Sequence, residues 1–139
     1  MSAAKLLCHF EGVNPSILSK EEILLLEAVL FLRICEELKE IYKIQHKDYF
    51  RIMKFNAEME NAMIETNYVR CIINDILSTE EYSLPGIAYY THKPEDVIFE
   101  VATGKNTDPS SSLLRKIIEL HRSVRPNLYR EIMKKILTV

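Results

Sequence analysis

Four of the five prolines in this 139-residue chain precede or open an apolar-periodic segment, and this punctuation constrains the fold more than any other feature. Proline is tolerated in the first turn of a helix, where its missing N–H would have no partner, and is disfavoured further in. Pro85, Pro94, Pro109 and Pro126 therefore predict four consecutive short helices joined by short connections.

The apolar residues on either side of Pro94 predict that two of these helices form a tight pair. Each run places its apolar side chains on one helical face, and only a short turn separates the two runs. This is the geometry of a helix-turn-helix. The positions on the shared apolar face are Ile87, Ala88, Thr91, Val97, Ile98 and Val101.

Further features extend this pattern beyond the helix pair. A hydrophobic residue and an alanine in the first helix are followed by two hydrophobic residues three apart in the second. A glycine, a short loop and a proline that opens the next helix come after them. In this chain the features are Ile87-Ala88, Ile98 with Val101, Gly104, and Asp108-Pro109-Ser110.

With this spacing, residues 68–135 resemble the lambda-repressor/Cro-like (XRE-type) helix-turn-helix domains of bacterial and phage regulators. The resemblance implies an all-α chain with a five-helix domain over residues 67–139. It also implies a regulator of transcription that binds double-stranded DNA as a homodimer, without catalytic activity or a cofactor. The DNA-contacting residues that it implies are Ser83, Lys93, Glu95, Asp96, Phe99, Glu100, Lys105 and Asn106.

The chain departs from the family pattern at the turn and at the start of the recognition helix. His92 stands where the family usually has glycine, and histidine can adopt the left-handed conformation at a modest penalty. Glu95 and Asp96 open the recognition helix, where carboxylates are repelled by phosphates, although a glutamate can accept a hydrogen bond from cytosine N4. The alternative is a protein-interaction module that keeps this fold and binds a basic protein partner through its acidic third helix.

The first half of the chain contains a signature for a helix start. Ser19 followed by Glu22 matches a capping box, in which the hydroxyl and the carboxylate bind free N–H groups of the first turn. The helix that follows is apolar almost all round in its first half, so it must be covered on more than one side. Together with a second helix it predicts an N-terminal helical hairpin over residues 1–66.

Two kinds of packing can cover this apolar helix. A second copy of the chain would make the hairpin a dimerisation arm, with Leu25, Val29 and Leu32 in the interface. Packing within one chain is the other interpretation.

The second helix of the hairpin has less definite bounds. Asp48 is a candidate cap for its start, and no glycine or proline interrupts residues 45–82. The pattern allows one long helix or two helices with a bend near residues 65–67, where three polar residues follow one another. In either case its last turns would be the first helix of the helix-turn-helix domain.

Charge is distributed unevenly along the chain. Residues 104–139 contain eight Lys and Arg against three Asp and Glu, whereas the rest of the chain is acidic. A basic face of this kind suits nucleic acid or an acidic protein, and it is equally compatible with a solvated helix face.

Other sequence features favour a cytoplasmic protein that is not an enzyme. Cys8, Cys35 and Cys71 have a spacing that fits neither a disulfide framework nor a zinc site, which favours reduced, packed thiols. The first residues lack the apolar core of a signal peptide, and no apolar run is long enough to cross a membrane. No catalytic or metal-binding motif is evident.

Overall fold

The structure is a computed structural model that describes residues 18–137. All regular secondary structure in this range is helical, which confirms the prediction of an all-α fold. The helices are α1 (Lys20–Gln45), α2 (Lys47–Ile52), α3 (Ala57–Ser78), α4 (Leu84–Thr91), α5 (Glu95–Ala102), α6 (Ser111–Val124) and α7 (Pro126–Leu137). Predictions about Cys8 and the first residues of the chain lie outside the described range.

The predicted helix starts are present. At the start of α1, Oγ of Ser19 accepts from the Glu22 N–H at 3.1 Å, and Oε1 of Glu22 accepts from the Ser19 N–H at 3.4 Å. Each of the four prolines stands at or just before the start of a helix, because the first turn does not need its N–H. Pro109 is separated from α6 only by the capping residue Ser110.

The region between α1 and α3 differs from the prediction. Residues 47–78 form two helices, α2 and α3, and the break between them lies at residues 53–56 instead of 65–67. Lys54 has left-handed backbone angles (φ 57°), and the Phe55 N–H donates to the Phe50 carbonyl at 2.9 Å. This is the Schellman arrangement that ends many helices, here formed without the usual glycine.

The caps around this break also differ from the prediction. Asp48, the predicted cap, lies in the first turn of α2, and the capping position is occupied by His46. Nδ1 of His46 is 2.9 Å from the Tyr42 carbonyl oxygen, so this imidazole bonds the end of α1. Asn56 caps α3, since its side-chain oxygen accepts from the Met59 N–H at 2.9 Å.

Helix α3 lies at the centre of the fold. It packs against α1 on one side and against α5 and α6 on the other, and Ile72, Ile73 and Ile76 in its second half are fully buried. The predicted domain boundary at residues 66–67 falls inside this helix. Buried residues on both sides of the boundary belong to one hydrophobic core.

Helices α4 and α5 form a short pair that packs on α6 and α3. The apolar positions that predicted this pair point inward, because they occupy one face of each helix. Ile87 and Ala88 of α4, Ile98 and Val101 of α5, and Leu114 and Ile117 of α6 are all buried in the common core.

The turn between α4 and α5 is closed by a left-handed histidine. His92 has φ 57° and ψ 35°, and the Lys93 N–H donates to the Ala88 carbonyl at 3.1 Å. The conformation predicted from the sequence is therefore present. This left-handed conformation is less favourable for a residue with a Cβ atom than for glycine, so it destabilises the folded state slightly.

We expect His92→Gly to raise the free energy of unfolding by up to about 1 kcal/mol, because it relieves this backbone strain. Urea unfolding followed by far-ultraviolet circular dichroism measures the change. His46→Gly is the control, since His46 has a negative φ and the same substitution should destabilise there. An unchanged or lower stability of His92→Gly would contradict the argument.

Candidate functional site

The outward face of α5 contains the residues predicted to meet DNA. Glu95 and Asp96 lie in its first turn, and Phe99 and Glu100 follow one turn later. All four side chains are exposed, with Phe99 52% accessible. None of the three carboxylates forms an ion pair with another residue of the described range. The face is therefore acidic, with one aromatic ring among the charges.

Two further predicted contacts lie at either end of α4. Ser83 is exposed and caps the helix, since its Oγ accepts from the Gly86 N–H at 3.3 Å. Lys93 is exposed in the turn between α4 and α5. Tyr89, on the outside of α4, is 85% accessible, whereas Tyr90 is half-buried and packs edge-on against Tyr82.

The loop after α5 supplies the last two predicted contacts. It begins at Gly104, whose φ of 80° is the left-handed conformation that ends the helix. Lys105 is exposed, but Asn106 is half-buried and its side-chain oxygen accepts from the Asp108 N–H at 3.0 Å. Asn106 thus shapes the loop, and its side-chain nitrogen has no hydrogen-bond partner among the described residues.

Several basic side chains of residues 104–139 already contact other residues, so they do not form one free basic surface. Lys116 pairs with Glu119 at 3.6 Å, and the Arg115 guanidinium lies 5.7 Å from the centre of the Phe31 ring. Arg125 donates to both carboxylate oxygens of Asp75, at 3.0 and 3.1 Å. These side chains are therefore already engaged, and Asp75 of α3 neutralises the charge of Arg125.

Sequence reasoning missed a buried polar cluster that joins α3, α6 and α7. Nε2 of His121 is 2.6 Å from Oδ2 of Asp75, and Nδ1 is 2.6 Å from the Tyr129 hydroxyl. Because a carboxylate only accepts, Nε2 carries the proton, and Nδ1 accepts from the Tyr129 O–H. His121 is completely buried, and the two partners satisfy both nitrogens of its neutral ring.

Burial and hydrogen bonds set the protonation of this cluster. Burial lowers the pKa of His121 and outweighs the opposing influence of Asp75. Burial alone would raise the pKa of the Asp75 carboxyl, but hydrogen bonds from Arg125 and His121 outweigh it and lower that pKa. The histidine is enclosed, and its two hydrogen bonds connect α6 to α3 and to α7.

The cysteines in the described range are free thiols. Cys35 is buried on α1, and burial raises its pKa to about 11. Cys71 is half-buried on α3, where burial also raises its pKa. Thiols with raised pKa values are poor nucleophiles at neutral pH, which agrees with packed, unreactive side chains.

Residues 18–137 contain neither a metal-binding cluster nor a helix that could span a membrane. No group of three or more His, Cys, Asp and Glu side chains there is placed to hold a metal ion. No helix in the same range has the length and apolar character needed to cross a bilayer.

Comparison with known proteins identifies no relative. The chain matches no protein-family model, no curated protein and no solved structure.

Proposed function

We propose that this protein is a cytoplasmic, DNA-binding regulator of the lambda-repressor/Cro-like kind that binds duplex DNA as a homodimer. The observation that carries the proposal is the α4–α5 pair, which presents an exposed helix face between an exposed turn and an exposed loop. Buried Ile87, Ala88 and Ile98 hold the pair rigidly on α3 and α6. Rigid presentation of a short helix is what major-groove recognition requires.

The dimensions and chemistry of α5 suit the major groove. An α-helix with its side chains is about 10–12 Å in diameter, which fits the major groove of about 12 Å width. Lys93 and Lys105 would contact phosphates on either side of the helix, and these contacts provide position without sequence information. Glu95 and Asp96 oppose the phosphates, and cytosine N4 is the base donor from which a carboxylate can accept a hydrogen bond.

A two-fold dimer is supported by the outer face of α1. Leu25, Val29 and Leu32 are 69%, 52% and 63% accessible, and Leu24 beside them is also exposed. Leu25, Val29 and Leu32 are spaced four and three residues apart, so they share one face of α1 over two turns. Among the described residues, no other part of the chain covers these side chains, since they are exposed. A second copy of the chain is the occupant that a regulator of this class requires.

We expect duplex binding that is weak and steeply dependent on salt, because the three carboxylates of α5 oppose the phosphates. Lys105→Gln should weaken binding to all sequences and reduce the salt slope by about one unit. The double change Glu95→Gln and Asp96→Asn should strengthen non-specific binding, since it removes repulsion without removing a phosphate contact. Fluorescence anisotropy on random duplex at two salt concentrations measures all three proteins.

Lys47→Gln is the matched control for the lysine variant, because Lys47 is exposed at the start of α2, away from α5. It should leave the affinity and the salt slope nearly unchanged. Loss of DNA binding in the Glu95/Asp96 variant would instead mean that these carboxylates read bases directly. Equal effects of Lys105→Gln and Lys47→Gln would contradict the proposed binding face.

The exposed aromatic side chains support a second candidate function. Tyr89 and Phe99 lie on the outside of the same helix pair as the three carboxylates, and apolar rings among unpaired acids suit a basic protein partner. This interaction module would show no duplex binding at low salt in any of the three proteins. It would bind a basic protein as wild type and lose it in the Glu95/Asp96 variant.

A further inference from the structure

A groove with two chemically different walls lies between α2 and α3. Its volume is about 350 Å³, within the usual range for small-molecule sites. Tyr49 and Phe50 of α2 and Met63 of α3 contribute apolar surface, with Phe50 buried at the base. Asn67, Arg70 and Asn74 follow one another at helical spacing along α3 and form the polar wall.

The polar wall has hydrogen-bonding capacity that the described structure does not use. Asn67 donates to the Met63 carbonyl at 2.9 Å, which leaves its side-chain oxygen unpaired there. Arg70 takes part in none of the ion pairs or hydrogen bonds found among residues 18–137. Of the described residues that line the groove, Arg70 alone carries a permanent charge.

We propose that this groove binds a small aromatic carboxylate, with its ring against Tyr49 and Met63 and its carboxylate on Arg70. A guanidinium offers a planar pair of donors that matches the two oxygens of one carboxylate. A phosphate dianion would call for more positive charge than this one side chain supplies. Asn67 and Asn74, on either side of Arg70, complete the polar edge.

Arg70 also connects the groove to the loop after α5. A Cβ placed on Gly104 would lie 3.1 Å from Nη1 and 3.6 Å from Cδ of Arg70, so the arginine lies directly against this glycine. A carboxylate that draws the guanidinium toward the groove changes the packing contact of Arg70 with Gly104, and so the environment of the neighbouring Lys105. If Lys105 contacts DNA, the ligand alters DNA affinity; this last step rests on the proposed function, whereas ligand binding does not.

The test uses phenylacetate and its neutral analogue phenylacetamide, titrated into the ¹⁵N-labelled full chain. Phenylacetate should shift the amide resonances around Asn67, Arg70 and Asn74, with a dissociation constant of roughly 1 mM or lower. Gly104 and Lys105 should shift with the same binding curve. Phenylacetamide should bind about tenfold more weakly, because it lacks the charge that Arg70 recognises.

Arg70→Met keeps the aliphatic stem against Gly104 and removes the charge. It should weaken phenylacetate binding by about tenfold or more and leave the weak binding of phenylacetamide unchanged. Tyr49→Ser on the opposite wall should weaken both compounds, and Arg130→Met, an exposed arginine on α7, should weaken neither. Both tested groove residues are exposed, so the variants should fold.

The site would be overturned if about 10 mM phenylacetate, roughly the highest useful concentration for a fragment of this size, caused no shifts. Equal affinities for the two compounds, or phenylacetate binding that survives Arg70→Met, would also overturn it. Shifts confined to the groove between α1 and α6, where Arg115 and Arg122 lie, would overturn it as well. Because no DNA is present, these results are independent of the DNA-binding proposal. A ligand that binds as expected while the protein binds no duplex would reject only the proposed function.

Discussion

Replacing His121 with phenylalanine is expected to lower the free energy of unfolding by about 2 to 4 kcal/mol. The substitution replaces the imidazole with a planar aromatic ring of similar size, but it removes both hydrogen bonds of a fully buried side chain. The Tyr129 hydroxyl, also buried, is left without an acceptor, and Asp75 loses a donor. Urea unfolding at pH 7 measures the loss.

The same cluster should make stability depend on pH. The pKa of His121 is lower in the folded protein than the unfolded value of about 6.5, so below that pH the unfolded chain takes up a proton that the folded chain does not. Wild type should therefore lose stability as pH falls from about 6.5 toward the folded pKa, with a slope of at most about 1.4 kcal/mol per pH unit from this group.

Asp75 acts in the same direction over a lower pH window. Its folded pKa is depressed, so its contribution is complete above its unfolded pKa of about 3.9 and is lost as pH falls through the folded value. Above about pH 5, where Asp75 is ionised in both proteins, the difference between wild type and His121→Phe reports the titration of the histidine. That difference should shrink as pH falls below about 6.5.

Tyr129→Phe is the control for the hydrogen-bond argument. It removes one partner of His121, so it should cost less than His121→Phe, about 1 to 3 kcal/mol. The double variant should cost less than the two single changes added together, because it leaves no buried Tyr129 hydroxyl without a partner. Strict additivity, or a pH profile that His121→Phe does not change, would show that the cluster is not coupled.

A triple substitution on α1, Leu25→Glu, Val29→Glu and Leu32→Glu, is expected to abolish association of the chain. Each apolar side chain buried in an interface contributes roughly 1.5 to 3 kcal/mol, and two-fold symmetry doubles the number lost. The dimer dissociation constant should therefore rise at least about a thousandfold, by more than about 4 kcal/mol. Sedimentation velocity across low micromolar to submillimolar concentrations measures this.

The chain offers a matched control for this experiment. Ile44, Ile52 and Met53 are apolar and exposed but lie outside the first turns of α1. Their replacement by glutamate adds the same charge and removes similar apolar area, and it should leave association unchanged. A wild-type chain that sediments as a monomer throughout, or equal losses in the two triple variants, would reject the dimer surface.

Local signals in the sequence determined most helix starts in the described range. A proline or a capping serine acts within one turn, so Ser19, Pro85 and Pro126 mark helix starts whatever surrounds them. The inward faces of α4, α5 and α6 were predictable for the same reason, since helical periodicity places apolar side chains on one side. The exposed positions of Glu95, Phe99 and Lys105 follow from that periodicity and from the glycine that ends α5.

Only the tertiary structure decided the features that join distant segments. Asp75 and His121 are 46 residues apart, and neither has a sequence neighbour that predicts the other, because a pairing across two helices depends on how they pack. The helix end at Lys54 could not be predicted from the sequence, because the residue that takes the left-handed conformation there is not glycine. The commitment of Arg125 to Asp75, and the contact of Arg70 with Gly104, likewise depend on which helices the core brings together.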